Sequence, residues 1–164
     1  MLILKPFKDS NAKFLSELLK NEKTYALVCG EKYGAYPVSE QDIINYYNAL
    51  SGAHPMTAFY ENKAVGHILV VQNSESALLG SVIIDDKMRG KGLGKEMLKA
   101  ALDYAFKKLG AKEASIGVFE ENRGALALYK SLGFAEYKKE ARPLLNKERP
   151  YLWLKLKGEN NEHL

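Results

Sequence analysis

Ile83-Ile84-Asp85-Asp86-Lys87-Met88-Arg89-Gly90-Lys91-Gly92-Leu93-Gly94 is the stretch on which the reading of this chain turns. An apolar, β-branched run enters a basic turn rich in glycine, and the turn opens an amphipathic helix. Glycines let the main chain approach a ligand closely, and a helix start offers four unpaired N–H donors and the positive end of its dipole. Arg89, Lys91 and Lys95 surround the turn. The ligand this suits is a pyrophosphate or a similar polyphosphate. An ordinary flexible connection is the alternative. Three alternating glycines at a helix start weigh against it, because each costs up to ~1 kcal/mol inside a helix.

Three glycine-rich patterns compete for the phosphate. A P-loop needs Gly-Lys-Ser/Thr, but Gly92 follows Lys91 and no hydroxyl stands ready for magnesium. A dinucleotide turn needs Gly-x-Gly-x-x-Gly, and Gly90, Gly92 and Gly94 leave the second gap one residue short. The third pattern is Arg/Gln-x-x-Gly-x-Gly/Ala, which Arg89, Gly92 and Gly94 fit. A second segment, Val118 to Phe134, carries an asparagine after a strand, an alanine three residues on, and Leu-Tyr-x-x-x-Gly-Phe. Asn122, Ala125, Tyr129, Gly133 and Phe134 all fall in register. With both motifs in order, the chain resembles the GNAT family of N-acetyltransferases. The resemblance covers residues 64–140, and the first sixty residues match only in element order.

A chain of 164 residues suits one domain with one core. With 46% hydrophobic and 27% charged residues it reads as globular. No apolar run approaches the roughly 20 residues that span a bilayer, and the N-terminus reads as a first strand rather than a signal peptide. The single cysteine, Cys29, forms no internal disulfide, and no Cys/His cluster suggests zinc. A cytoplasmic location without a membrane partner is the expectation. The net charge of +4 raises the question of nucleic acid. Basic residues interleave with glutamates, however, and much of the local excess sits at the glycine turn. A salt-sensitive nucleic-acid-binding domain therefore ranks last, and no nucleic-acid partner is expected.

Along the chain, Met1–Phe7 reads as a strand and Asp9 or Ser10 as the cap of a helix to Asn21. Residues 25–37 are aromatic and glycine-containing and read as a loop. Ser39–Asp42 resembles a capping box opening a helix to Leu50. Strands are expected at 56–60, 64–72 and 77–84, with 61–63 as the hairpin turn. Leu93 to Leu109 recurs at helical spacing and Gly110 stops it. A strand at 114–119, a helix capped by Asn122, and strands at 134–140 and 151–157 follow, the last two joined by a long charged connection. Residues 1–157 read as one domain and 158–164 as a frayed polar tail.

The resemblance implies a mixed α/β fold. Its central sheet is mostly antiparallel, with a splayed parallel strand pair, here 78–84 and 115–119, and helices flanking it. It implies acetyl-CoA as co-substrate, with no metal and no covalent enzyme intermediate. Backbone groups of Val82, Ile83 and Ile84 would hold the pantetheine arm and thioester, and a bulge there would free an N–H for the developing oxyanion. Arg89, Gly90, Lys91, Gly92, Leu93, Gly94 and Lys95 would hold the pyrophosphate, and Asn122 would bond the arm. Tyr129 is the candidate acid for the departing thiolate, since a phenol of pKa ~10 is protonated at neutral pH. Periodicity alone also suits Tyr129 to a buried helix face. Relatives often place a glutamate base on these strands, but Leu78 and Gly117 stand at the matching positions. Glu75, His67, His54, Glu120 or a water chain remain as alternatives, with His67 expected to face solvent. Asp86 stands where relatives frequently carry proline.

The acceptor is open: a small amine, a polyamine, an amino acid or a peptide N-terminus. Tyr25, Tyr33, Tyr36, Tyr46, Tyr47 and Trp153 could shape its pocket or simply pack. Glu31, Glu40, Asp42 and Glu136 could attract an ammonium, and the basic 142–149 segment leaves room for an acidic acceptor. A non-catalytic CoA sensor on the same fold is the alternative function. Dimers are common in the family, and the terminal strands offer an edge for one.

Overall fold

The computed structural model describes residues 1–158. All but the first residue of the expected tail therefore lie outside the described residues. Seven strands form one sheet: β1 (Leu2–Pro6), β2 (Ala53–Tyr60), β3 (Lys63–Asn73), β4 (Ser76–Ile84), β5 (Glu113–Phe119), β6 (Ala135–Leu144) and β7 (Lys147–Lys157). Their order is β1-β2-β3-β4-β5-β7-β6. Every neighbouring pair is antiparallel except β4 with β5. That parallel pair needs a crossover, which the helix α4 (Leu93–Asp103) supplies.

Period-two patterning puts a core on each face of β3. Ile68 and Val70 join Met97, Leu98 and Leu102 of α4 on one side. His67 and Leu69 face the helices α1 (Ala12–Leu18), α2 (Glu22–Cys29) and α3 (Glu40–Ala49) on the other, where Leu15, Tyr25 and Ile43 are buried. A fifth helix, α5 (Arg123–Ser131), returns beside α4.

Three expectations are corrected. The supposed loop at 25–37 begins as α2. Asn21 accepts a hydrogen bond from Thr24 N at 2.8 Å, and Gly30 at φ 58° closes the helix. Because Asn21 caps α2, α1 ends at Leu18 rather than continuing to residue 21. The long connection expected before the last strand is instead strand, with β6 and β7 zipped as far as Leu144–Lys147. The Ser39 capping box is present, with Ser39 N donating to Asp42 and Asp42 N to Ser39 Oγ, each at 3.0 Å.

Candidate active site

The site begins where β4 and β5 part. Parallel pairing runs from Ser76–Glu113 to Leu79–Ile116 and stops. From Gly117 onward β5 pairs only with β7. On its other edge β4 carries a bulge. Ile83 faces His67 while Gly80 faces Leu69, so Ser81 and Val82 together oppose Ile68. A bulge leaves its extra residue out of the ladder. Ser81 takes φ 47°, and its hydroxyl accepts from Tyr33 Oη at 3.1 Å. Tyr33 bonds Tyr47, and Tyr47 bonds His67 Nε2 at 2.7 Å. This buried chain anchors the bulge from behind.

Two cavities fill the split. The first, about 980 Å³, is lined by Val82, Ile83, Ile84, Arg89, Gly90, Gly92, Leu93, Gly94, Lys95, Asn122 and Tyr129. Of the expected cofactor residues only Lys91 lies outside it. Gly90 and Gly92 have φ of 81° and 73°, which a side chain would strain. Nothing lies within 4 Å of a Cβ added at either, so the cavity reaches their main chain. Gly92 caps α4 without a side-chain bond, leaving the first-turn N–H groups to a ligand. These features fit an anion such as a pyrophosphate.

The sequence reading missed the roof of this cavity. Phe14 and Leu18 of α1, and Thr24, Leu27 and Val28 of α2, line it, and Lys20 and Lys87 add cations. Asp86 binds Lys20 and holds Arg89 at 2.8 Å, so it is the anion these two cations carry in the free protein. These ion pairs, the bond to Lys20 first, hold its carboxyl below the usual range.

The second cavity, about 620 Å³, shares Leu27, Val28, Val82, Asn122 and Tyr129 with the first. These residues mark the junction. The Tyr129 ring is 4% exposed and packs with Phe134 at 6.2 Å between centroids. Burial, with Tyr151 adding to it, holds its phenol well above the ordinary value. It therefore stays protonated at neutral pH. Asn122 stands at the N-cap of α5 but makes no side-chain cap bond, against the capping expectation.

The candidate bases divide. Glu75 lies in the β3–β4 turn, at the far end of β4, and pairs with Lys112 at 3.0 Å. His54 faces Tyr104, and Glu120 pairs with Lys139 at 3.3 Å. None lines either cavity. His67 does not face solvent: it is buried behind Tyr47, and burial pushes its imidazole down to about 3. Its role is to anchor the tyrosines. Leu78 does line the second cavity, and at Gly117 the Tyr151 ring fills the space a side chain would need, so no glutamate fits at that position of β5. The carboxylates suggested for an ammonium are also elsewhere. Asp42 serves its helix cap, Glu136 pairs with Lys130 at 3.1 Å, and Glu31 and Glu40 line neither cavity. No helix of the described residues is long and apolar enough to cross a membrane.

Comparison with known proteins agrees with this geometry. The chain is 34% identical over 88 residues to the spermine/spermidine N(1)-acetyltransferase of Bacillus subtilis, covering 49% of this chain and 58% of that one. It is 36% identical over 66 residues to an uncharacterized N-acetyltransferase of Methanocaldococcus jannaschii, covering 40% and 29%. The chain thus spans less than two thirds of the length of these curated relatives. Among solved structures, the Vibrio cholerae spermidine N-acetyltransferase in complex with CoA and spermine superposes with a TM-score of 0.81 at 20% identity, over 96% of each chain. A mutant form of that enzyme reaches 0.83 at 20% identity, over 99% of this chain and 96% of the other. The sequence model of the Acetyltransferase (GNAT) family matches residues 21–134, and the chain belongs to that family.

Proposed function

We propose that the chain is an N-acetyltransferase that moves an acetyl group directly from acetyl-CoA to a primary amine of a small molecule or peptide. The observation that carries this reading is the meeting of two cavities at Val82, Asn122 and Tyr129. One is walled by the glycine turn and the start of α4, and the other shares Leu27, Val28, Val82, Asn122 and Tyr129 with it. The thioester of acetyl-CoA supplies the acetyl group. The glycine turn and Arg89 and Lys95 hold its phosphates. Val82, Ile83, Ile84 and Asn122 position the arm, and the bulge at Ser81–Val82 offers an N–H to the negative charge that develops on oxygen. Tyr129 gives its proton to the departing sulfur.

Among the described residues no carboxylate or histidine lines the junction, and in this reading the proton of the incoming ammonium leaves through water. The absent base also keeps a CoA-binding sensor in view. Release of free CoA thiol across a panel of amines, with the acetylated product identified by mass, separates the two. Acetyl-CoA binding without turnover on any amine favours the sensor. The relatives' names put polyamines among the candidate acceptors. A cytoplasmic location and self-association through the free edge of β6 belong to the same reading, and sedimentation measures the latter.

A further inference from the structure

The second cavity is cationic. Lys32 and Arg142 line it, and among the described residues no aspartate or glutamate does. The Lys32 ammonium rests against β4 at Gly80, 3.1 Å from where a Cβ on that residue would stand. This is one residue before the bulge. It makes no ion pair among the described residues, although Glu31 precedes it in the chain. Burial lowers its pKa from the ordinary lysine value, with Cys29 acting weakly the other way. A half-buried cation without a partner is unfavourable unless a ligand supplies the anion.

The aromatic wall gives the same answer. Tyr151 and Trp153 would be the natural seat for an ammonium. Their faces are already taken by the Arg142 guanidinium, 4.3 Å from the Tyr151 centroid and 5.1 Å from that of Trp153. The nearest carboxylate on that wall, Glu140, does not line the cavity. It accepts from Arg142 Nε at 2.7 Å and from Trp153 Nε1 at 3.3 Å, which with Lys138 hold it down at about 2. A polycation would enter a pocket that holds the Lys32 ammonium, with Arg142 already paired to Glu140, and no free carboxylate among the described residues.

Resting on the acyl-transfer reading of this site, we propose that the acceptor is a primary amine bearing an anionic group, a carboxylate or a phosphate. Lys32 is the residue that selects it. The reacting nitrogen must reach the junction at Val82, two residues along β4 from Gly80. At about 3.3 Å per residue the anion and the amine are separated by roughly 6–7 Å. That distance suits a short linker.

The test uses the whole chain. Aminocarboxylates with amine and carboxylate separated by one to five carbons, matching aminoalkyl phosphates, diamines of equal length and spermidine are titrated calorimetrically into CoA-saturated protein. The same compounds are assayed for acetylation. At least one anionic amine is expected to bind tenfold or more tighter than its matched diamine, about 1.4 kcal/mol. The carboxylate and phosphate arms identify which anion is preferred. Lys32→Met should erase the preference and Lys32→Glu should reverse it, with acetyl-CoA binding reporting that each variant is folded. If a variant does not fold, the wild-type panel decides alone. Diamines binding as well as their anionic counterparts, an unchanged ratio in folded Lys32→Met, or no binding anywhere in the panel would overturn the inference. Selective binding of anionic amines without acetylation would uphold the ligand class and the role of Lys32 and overturn the acyl-transfer reading, and with it the name of acceptor.

Discussion

Tyr129 carries most of the chemistry at the scale of single residues. Its place at the cavity junction suits a proton donor, and burial keeps the phenol protonated for that role while making it a weaker acid. Tyr129→Phe should lower kcat by about a hundredfold or more while leaving the acetyl-CoA dissociation constant within about twofold. Pre-steady-state kinetics with the preferred amine measures both, and an unchanged chemical step would remove Tyr129 from the mechanism. The motif residues were legible because their roles depend on local spacing: a glycine turn, then an asparagine at the start of α5 and a tyrosine seven residues on. His67 was not legible. Alternation along a strand distinguishes two faces, but β3 is covered on both, so the polar face implied by the pattern is a second core. The missing strand glutamates were legible, as Leu78 and Gly117 at the matching positions, but the places of Glu75, Glu120 and His54 were not, since their partners Lys112, Lys139 and Tyr104 come from distant segments.

At the scale of elements, α2 decides how the site is closed. Its Leu27 and Val28 line both cavities, and it is a short helix held by its Asn21 cap. Asn21→Ala should cost about 1 kcal/mol. For a domain of this size that lowers the melting temperature by roughly 2–4 °C, readable by calorimetry. An unchanged melting temperature would mean that the cap does not hold the helix. The helix was hidden because β-branched Thr24 and Val28 and aromatic Tyr25 dilute its helix formers, and a stretch with Gly30, Tyr33, Gly34 and Tyr36 follows it at once. Tyr25 stays in it because its hydroxyl is satisfied, accepting from Tyr33 N at 2.8 Å and donating to Gly34 O at 2.7 Å. The bulge in β4 was expected from the family resemblance but carries no signal in its own residues. Its left-handed residue is Ser81 rather than glycine, and the tyrosine that bonds it comes from a distant segment.

At the scale of the whole molecule, the helices over one sheet face bury an unusual number of ionisable phenols. Burial pushes Tyr25 up to about 12 and Tyr33 and Tyr47 well above their ordinary value, and it pushes the Cys29 thiol up to about 11. Each group releases its proton at lower pH when unfolded than when folded. Their contribution to stability is therefore complete below the unfolded values, about 8.5 for the thiol and 10 for the phenols. It is lost as pH rises through the folded ones. Urea midpoints should hold steady from pH 7 to 8, decline above about 9 and fall steeply above 10. A midpoint flat to pH 11 would contradict the burial of this cluster.

The central claim is that the glycine turn and the split between β4 and β5 form an acetyl-CoA site. Thermal unfolding with acetyl-CoA, and with NAD and ATP as controls, tests it most directly. At a hundred times its dissociation constant a ligand adds about 2.7 kcal/mol, a rise of roughly 5–10 °C for a domain of this length. A rise of that size with acetyl-CoA and none with the controls is the expected result. No rise at millimolar acetyl-CoA, or an equal rise with ATP, would contradict it.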